Sequence, residues 1–141
     1  MIRIKIKRMK AYTDLEQSKK LAEILAIKSS DHHYVRTVTD FRGNPVDGEW
    51  SHPKYGNPNS RYANYIVQNF ETYKTMPCWS LSALIELIPD ECRMEKTSLD
   101  QDGEFTYSFV DDYYNIHTDE EDNPVDACYE MIIKLHELDA L

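Results

Sequence analysis

The sequence predicts an α+β domain, with three or more helices packed on a small antiparallel sheet. Three observations carry that reading. Two segments, "TDLEQSKKLAEILAIK" and "DNPVDACYEMIIKLHEL", repeat apolar residues at helical intervals behind N-terminal capping signals. Between residues 92 and 117 the pattern changes to short β-branched and aromatic runs broken by an Asp-Gly, the signature of a hairpin or meander. A chain of 141 residues is also a natural single domain, spanning 1–141, able to bury roughly two-thirds of its unfolded surface.

The elements follow in order. "MIRIKIKRMK" alternates Ile2, Ile4 and Ile6 with Arg3, Lys5 and Lys7, which fits an N-terminal strand or arm over residues 1–10. Thr13 and Glu16 have the spacing of a capping box and open a helix over about residues 14–27. "YVRTVTDF" has strand composition and ends at the turn "RGNPVDG". Residues 43–62 form a long, turn-rich loop that holds three of the four glycines and an unusual set of anchors: Trp50, His52, Tyr55, Arg61 and Tyr62. Tyr62, Ile66, Phe70 and Tyr73 then recur at helical spacing.

In "MPCWSLSALIELIP", Ser80 is a good N-cap for a short helix that Pro89 stops, with Leu81, Leu84, Ile85 and Ile88 as its core face. "CRMEKTSL" and "EFTYSFV" flank the turn "DQDG", and "YYNIH" supplies a third strand after Asp111-Asp112. Asn123 as N-cap and Pro124 at the first helical position open the last helix, about 124–138. Its inward stripe is Val125, Cys128, Met131, Ile132, Leu135 and Leu138. The expected packing clamps the short helix between this C-terminal helix and the sheet.

Charge narrows the function. The formal net charge is −9, and five of the 16 basic residues fall within the first ten, so the body is strongly acidic and nucleic acid is not expected as a direct partner. No apolar run has the length of a membrane span, and the N-terminus lacks the apolar block of a signal peptide. Cys78, Cys92 and Cys128 are odd in number and widely spaced, which fits free thiols and a cytoplasmic setting.

Each motif with chemical promise meets a plainer explanation. "DHH" at Asp31–His33 resembles the signature of the DHH phosphoesterases, but it follows a helix end and no Asp-x-Asp precedes it, so it is read as a solvated loop. "SLDQDGEF" puts Asp100, Asp102 and Gly103 at calcium-loop positions, yet Phe109 stands where a bidentate glutamate is needed. His117, Asp119, Glu120, Glu121 and Asp122 cluster before a helix start, where acids complement the helix dipole without any metal. Cys78 precedes a helix start, but Pro77, Trp79 and Leu81 around it point to burial. No catalytic residue, metal ligand or cofactor is therefore assigned.

"PCWSLSALIELIP" followed by "NPVDACYEMIIKLHEL" resembles a family of small uncharacterised proteins encoded by phages and mobile elements of gut bacteria. The likeness covers residues 9–27 and 76–141 and leaves 43–75 as an elaboration. It implies an origin and no activity. The sequence thus favours a non-enzymatic binding or accessory module acting through contacts with a protein partner, its anchors being Trp50, His52, Tyr55, Arg61 and Tyr62. One alternative is an acidic mimic that blocks a basic host surface. Another is a metal-dependent enzyme using loop histidines and acids.

Overall fold

The computed structural model describes residues 9–63, 72–98 and 104–141. Residues 1–8, the helical pattern through Ile66 and Phe70, and the Asp-Gly turn lie outside them. The described chain has three helices and two three-stranded antiparallel sheets, where the sequence led to one sheet.

Helix α1 spans Leu15–Ile24, shorter at its C-terminal end than expected. Its cap is Asp14, not Thr13. The Asp14 carboxylate accepts from the Gln17 amide at 2.8 Å, and Gln17 Oε1 accepts from the Asp14 amide at 3.1 Å. The capping box is shifted by one residue because the Thr13 hydroxyl is engaged elsewhere. It lies 2.8 Å from Ser18 Oγ and accepts from the Trp79 amide at 3.2 Å.

The first sheet has the order β2–β1–β3, with β1 at His32–Thr37, β2 at Lys54–Tyr55 and β3 at Tyr73–Cys78. β1 starts two residues before the expected strand and absorbs both histidines, so the "DHH" segment is not a solvated loop. β3 corrects a second expectation, because Tyr73 belongs to a strand and not to a helical pattern. Pro77 pairs with His33 there. An edge strand tolerates proline, since one of its sides requires no ladder donor.

Helix α2, Leu81–Leu87, is capped by Ser80, whose hydroxyl accepts from the Ala83 amide at 3.3 Å. Leu84 and Ile88 are buried and Leu81 packs against the core, but Ile85 is 49% exposed and does not belong to the inward face.

The second sheet is the expected meander, β4–β5–β6, at Arg93–Ser98, Phe105–Asp111 and Ile116–His117. Its third strand is cut to two residues because Tyr113 and Tyr114 lie in the turn and Asn115 takes a positive φ of 54°. Beyond β6 the chain stays on β5, where Tyr107 and Glu121 exchange backbone bonds of 2.7 and 2.8 Å.

Helix α3, Pro124–Glu137, has Asn123 as N-cap and Pro124 in its first turn. Val125, Cys128, Met131, Ile132 and Leu135 are fully buried, whereas Leu138, beyond the helix end, is half exposed. α3 packs against α2 and also against β5, so it is the shared middle element. The expected contact between α2 and α3 is present, and residues of α2 share their apolar cluster with Phe109 of β5. Asp126 joins the two ends of the described chain, taking Lys10 Nζ, Gln17 Nε2 and Asn123 Nδ2, each at 2.8 Å.

Leu84 and Ile132 lie in one apolar cluster with Trp79 and Phe109. Leu84→Ala or Ile132→Ala is expected to cost about 2–5 kcal/mol in urea denaturation. Ile85→Ala, on the same helix, should change stability by only about 0.5 kcal/mol.

Candidate functional site

The segment 43–62 is tied along β1. The amides of Val46, Gly48 and Ser51 donate to Val38, Thr37 and Val35 carbonyls at 3.0, 3.1 and 2.8 Å. The Gly56 amide donates to the Asp31 carbonyl at 2.8 Å, and buried His33 holds the Gly56 carbonyl at 2.7 Å through Nδ1. Gly48 is required by this close approach, because a Cβ there would stand 2.5 Å from the Thr37 carbonyl oxygen.

Alternation along β1 puts His32 and Tyr34 on one face and His33 and Val35 on the other. His32 pairs across the sheet with Tyr55. A chain of edge-on ring contacts starts there: Tyr12 to His32 at 4.7 Å between centroids, His32 to Tyr55 at 5.6 Å, and Tyr55 to Tyr62 at 4.8 Å. The Arg61 guanidinium closes it, 5.0 Å above the Tyr62 ring, while donating to the Tyr62 hydroxyl at 3.0 Å. Tyr55 and Tyr62 are 63% and 49% exposed, so the outer half of this stack faces water.

Of the five anchors expected from sequence, Tyr55, Arg61 and Tyr62 are thus brought together. Trp50 is elsewhere, half-buried under the Arg36 guanidinium at 5.4 Å, and Arg36 also reaches Asp47 at 3.3 Å. His52 stands on the rim of an open cleft of about 440 Å³ between the first turn of α1 and the β1 face, with Leu15, Tyr34 and Pro53 among its walls. The sequence reading missed Tyr12 and His32, which support the stack from beneath. Their signal was the strand register, which "DHHYV" conceals because Asp and His are poor strand markers.

Asp31 organises the base of this face. Its carboxylate accepts the Ser80 amide at 2.9 Å and the Ser80 hydroxyl. His32 Nδ1 lies 3.0 Å from Asp31 Oδ1, the same oxygen that takes the Ser80 amide. Burial works to raise the Asp31 pKa, but His32 and Ser80 outweigh it and hold the carboxyl below its ordinary range. Ser80, Asp31 and His32 are in the wrong order for nucleophilic catalysis. The carboxylate lies between hydroxyl and imidazole, where a triad needs the imidazole in the middle.

The thiols do not offer a nucleophile either. Burial pushes Cys78 up to about 11 and Cys128 to about 12, and burial with the nearby Asp111 carboxylate takes Cys92 to about 11. Among the described residues, no three His, Cys, Asp or Glu side chains gather as a metal site, and no helix is long and apolar enough to cross a membrane. Comparison with protein families, curated proteins and solved structures returns no match.

The lowered Asp31 pKa fixes the sign of a pH effect. A depressed carboxyl contributes stability above its unfolded value, near 3.8, and loses it as pH falls through the lower folded value. Acid titration of thermal stability should therefore show a smaller loss below pH 3.8 in Asp31→Asn than in the native chain. Equal losses in both would remove Asp31 from this role.

Proposed function

We propose that this chain is a non-enzymatic binding module that recognises a protein partner through the exposed end of the ring stack, Tyr55, Tyr62 and Arg61. The single observation that carries the proposal is that two water-exposed tyrosines and an arginine are stacked on one another and held on a hydrogen-bonded segment. Tyrosine and arginine are enriched among residues that dominate interface energies, and a pre-ordered set loses less entropy on binding. A core does not need this arrangement, since the outer rings leave much of their area in water.

The resemblance of residues 9–27 and 76–141 to proteins of phages and mobile elements supports an origin on such an element. In that reading the intervening residues 43–75 carry the recognition. Acidic mimicry is the less favoured reading, because the proposed anchors are aromatic and cationic.

Deleting residues 44–60 would remove β2 and the amides that line β1, so point substitutions isolate recognition from folding. Arg61→Ala/Tyr62→Ala should leave the melting temperature nearly unchanged and weaken retention of the partner captured from host lysate by about tenfold or more. Retention by the native chain should fall only modestly with added salt, whereas a charge mimic would release steeply. Undiminished capture by the double variant contradicts the proposal.

A further inference from the structure

The most exposed large apolar side chain described is Phe41, at 92%. It does not sit on a slack loop. The Asp40 carboxylate accepts from the amides of Arg42 and Asn44, both at 2.9 Å, and the Asp40 amide donates to the Asn44 carbonyl at 2.9 Å. Gly43 closes the turn at φ +83°, a conformation that glycine takes without strain. The Arg42 guanidinium lies 5.3 Å over the Phe41 ring. The result is a stapled hairpin tip that presents a phenyl ring and a cation together.

The same molecule carries a matching recess. The cleft beside His52 has apolar walls in Leu15, Tyr34 and Pro53 and carboxylates at Asp14 and Glu16. Lys10 engages Asp14 at 2.9 Å, whereas Glu16 has no cationic partner among the described residues. The cleft is shallow and open to solvent, so a ring with its guanidinium can be laid against it from outside. The tip cannot reach the cleft of its own chain. Some six residues of cross-tied ribbon, on the order of 20 Å, separate Phe41 from the β1 residues beside the cleft.

We propose that the Phe41–Arg42 tip of one copy seats in the Leu15–Tyr34–Pro53 cleft of a second copy, with Arg42 against Glu16, reciprocally in a closed two-fold dimer. Knob and recess are on the same chain, so a two-fold axis makes the contact twice and leaves neither unsatisfied. Insertion of the tip into an anionic lipid surface is disfavoured by Asp40, Asp47 and Glu49 on the same ribbon and by the net charge of −9. The inference goes beyond partner recognition by Tyr55, Arg61 and Tyr62 and does not rest on it.

Sedimentation velocity of the full chain from micromolar to millimolar concentration tests it. The native chain should pass from monomer to dimer, and Phe41→Asp should remain monomeric at an unchanged melting temperature. Arg42→Glu and Glu16→Arg should each weaken dimerisation, and the charge-swapped Arg42→Glu/Glu16→Arg should restore it. A native chain that stays monomeric throughout, a dimer that survives Phe41→Asp, growth into open polymers, or a charge swap that restores nothing would each overturn the proposal. So would a monomeric chain that sediments with anionic vesicles through Phe41.

Discussion

The structure depends on Thr13, a fully buried polar residue at the point where the two halves of the chain meet. Its amide donates to the Trp79 carbonyl at 2.9 Å, and its hydroxyl takes the Trp79 amide while touching Ser18 Oγ. Its carbonyl accepts the Tyr34 hydroxyl at 2.6 Å. Every polar group of the residue is thereby used, which is what burial demands. Trp79, directly after β3, carries its indole into the main apolar cluster with α2 and α3 and donates to Ser29 Oγ at 3.0 Å. Sheet one and the helical core thus meet at the Thr13–Trp79 pair.

The joint has consequences for the proposed binding face. It fixes the segment Ala11–Thr13 against Trp79–Leu81, with the Leu81 amide donating to Ala11 at 3.2 Å, and so sets Tyr12 against His32. Asp31 supplies the second fixed point by holding Ser80. The exposed tyrosines of the stack are therefore placed by buried polar contacts at its inner end together with the hydrogen-bonded segment that carries them. The same contacts set the first turn of α1 beside the cleft. An apolar core alone would hold the helices together, but it would not set the register of this face.

Most of the helical half was legible in the sequence. Ser80 and Asn123 keep their capping oxygens for the helix amides while their donors serve other partners, and the stripe from Val125 to Leu135 has one reading. The first cap was misplaced because Thr13-x-x-Glu16 and Asp14-x-x-Gln17 both have capping-box form, and only the tertiary claim on the Thr13 hydroxyl separates them. β3 was hidden because "YKTMPC" shows neither alternation nor a turn signal, and Tyr73 fits a helical series with residues before it. Ile85 and Leu138 obey the helical period and still face water, one on a seven-residue helix and the other past a helix end. Of the proposed binding face, Tyr55, Arg61 and Tyr62 could be read from composition. Their inner supports, Tyr12 and His32, could not, since pairing between distant segments brings them there.

The Thr13–Trp79 joint couples the first sheet to the core. Thr13→Val keeps the shape of the side chain and strands the Trp79 amide and the Ser18 hydroxyl, a loss of about 1–3 kcal/mol. Native-state hydrogen exchange on this variant is the most direct test. If the account holds, the amides of β1 and β3 lose protection together with those of α1, while α3 and β5 keep most of theirs. Protection that stays unchanged across β1 and β3, or that falls equally everywhere, would contradict it.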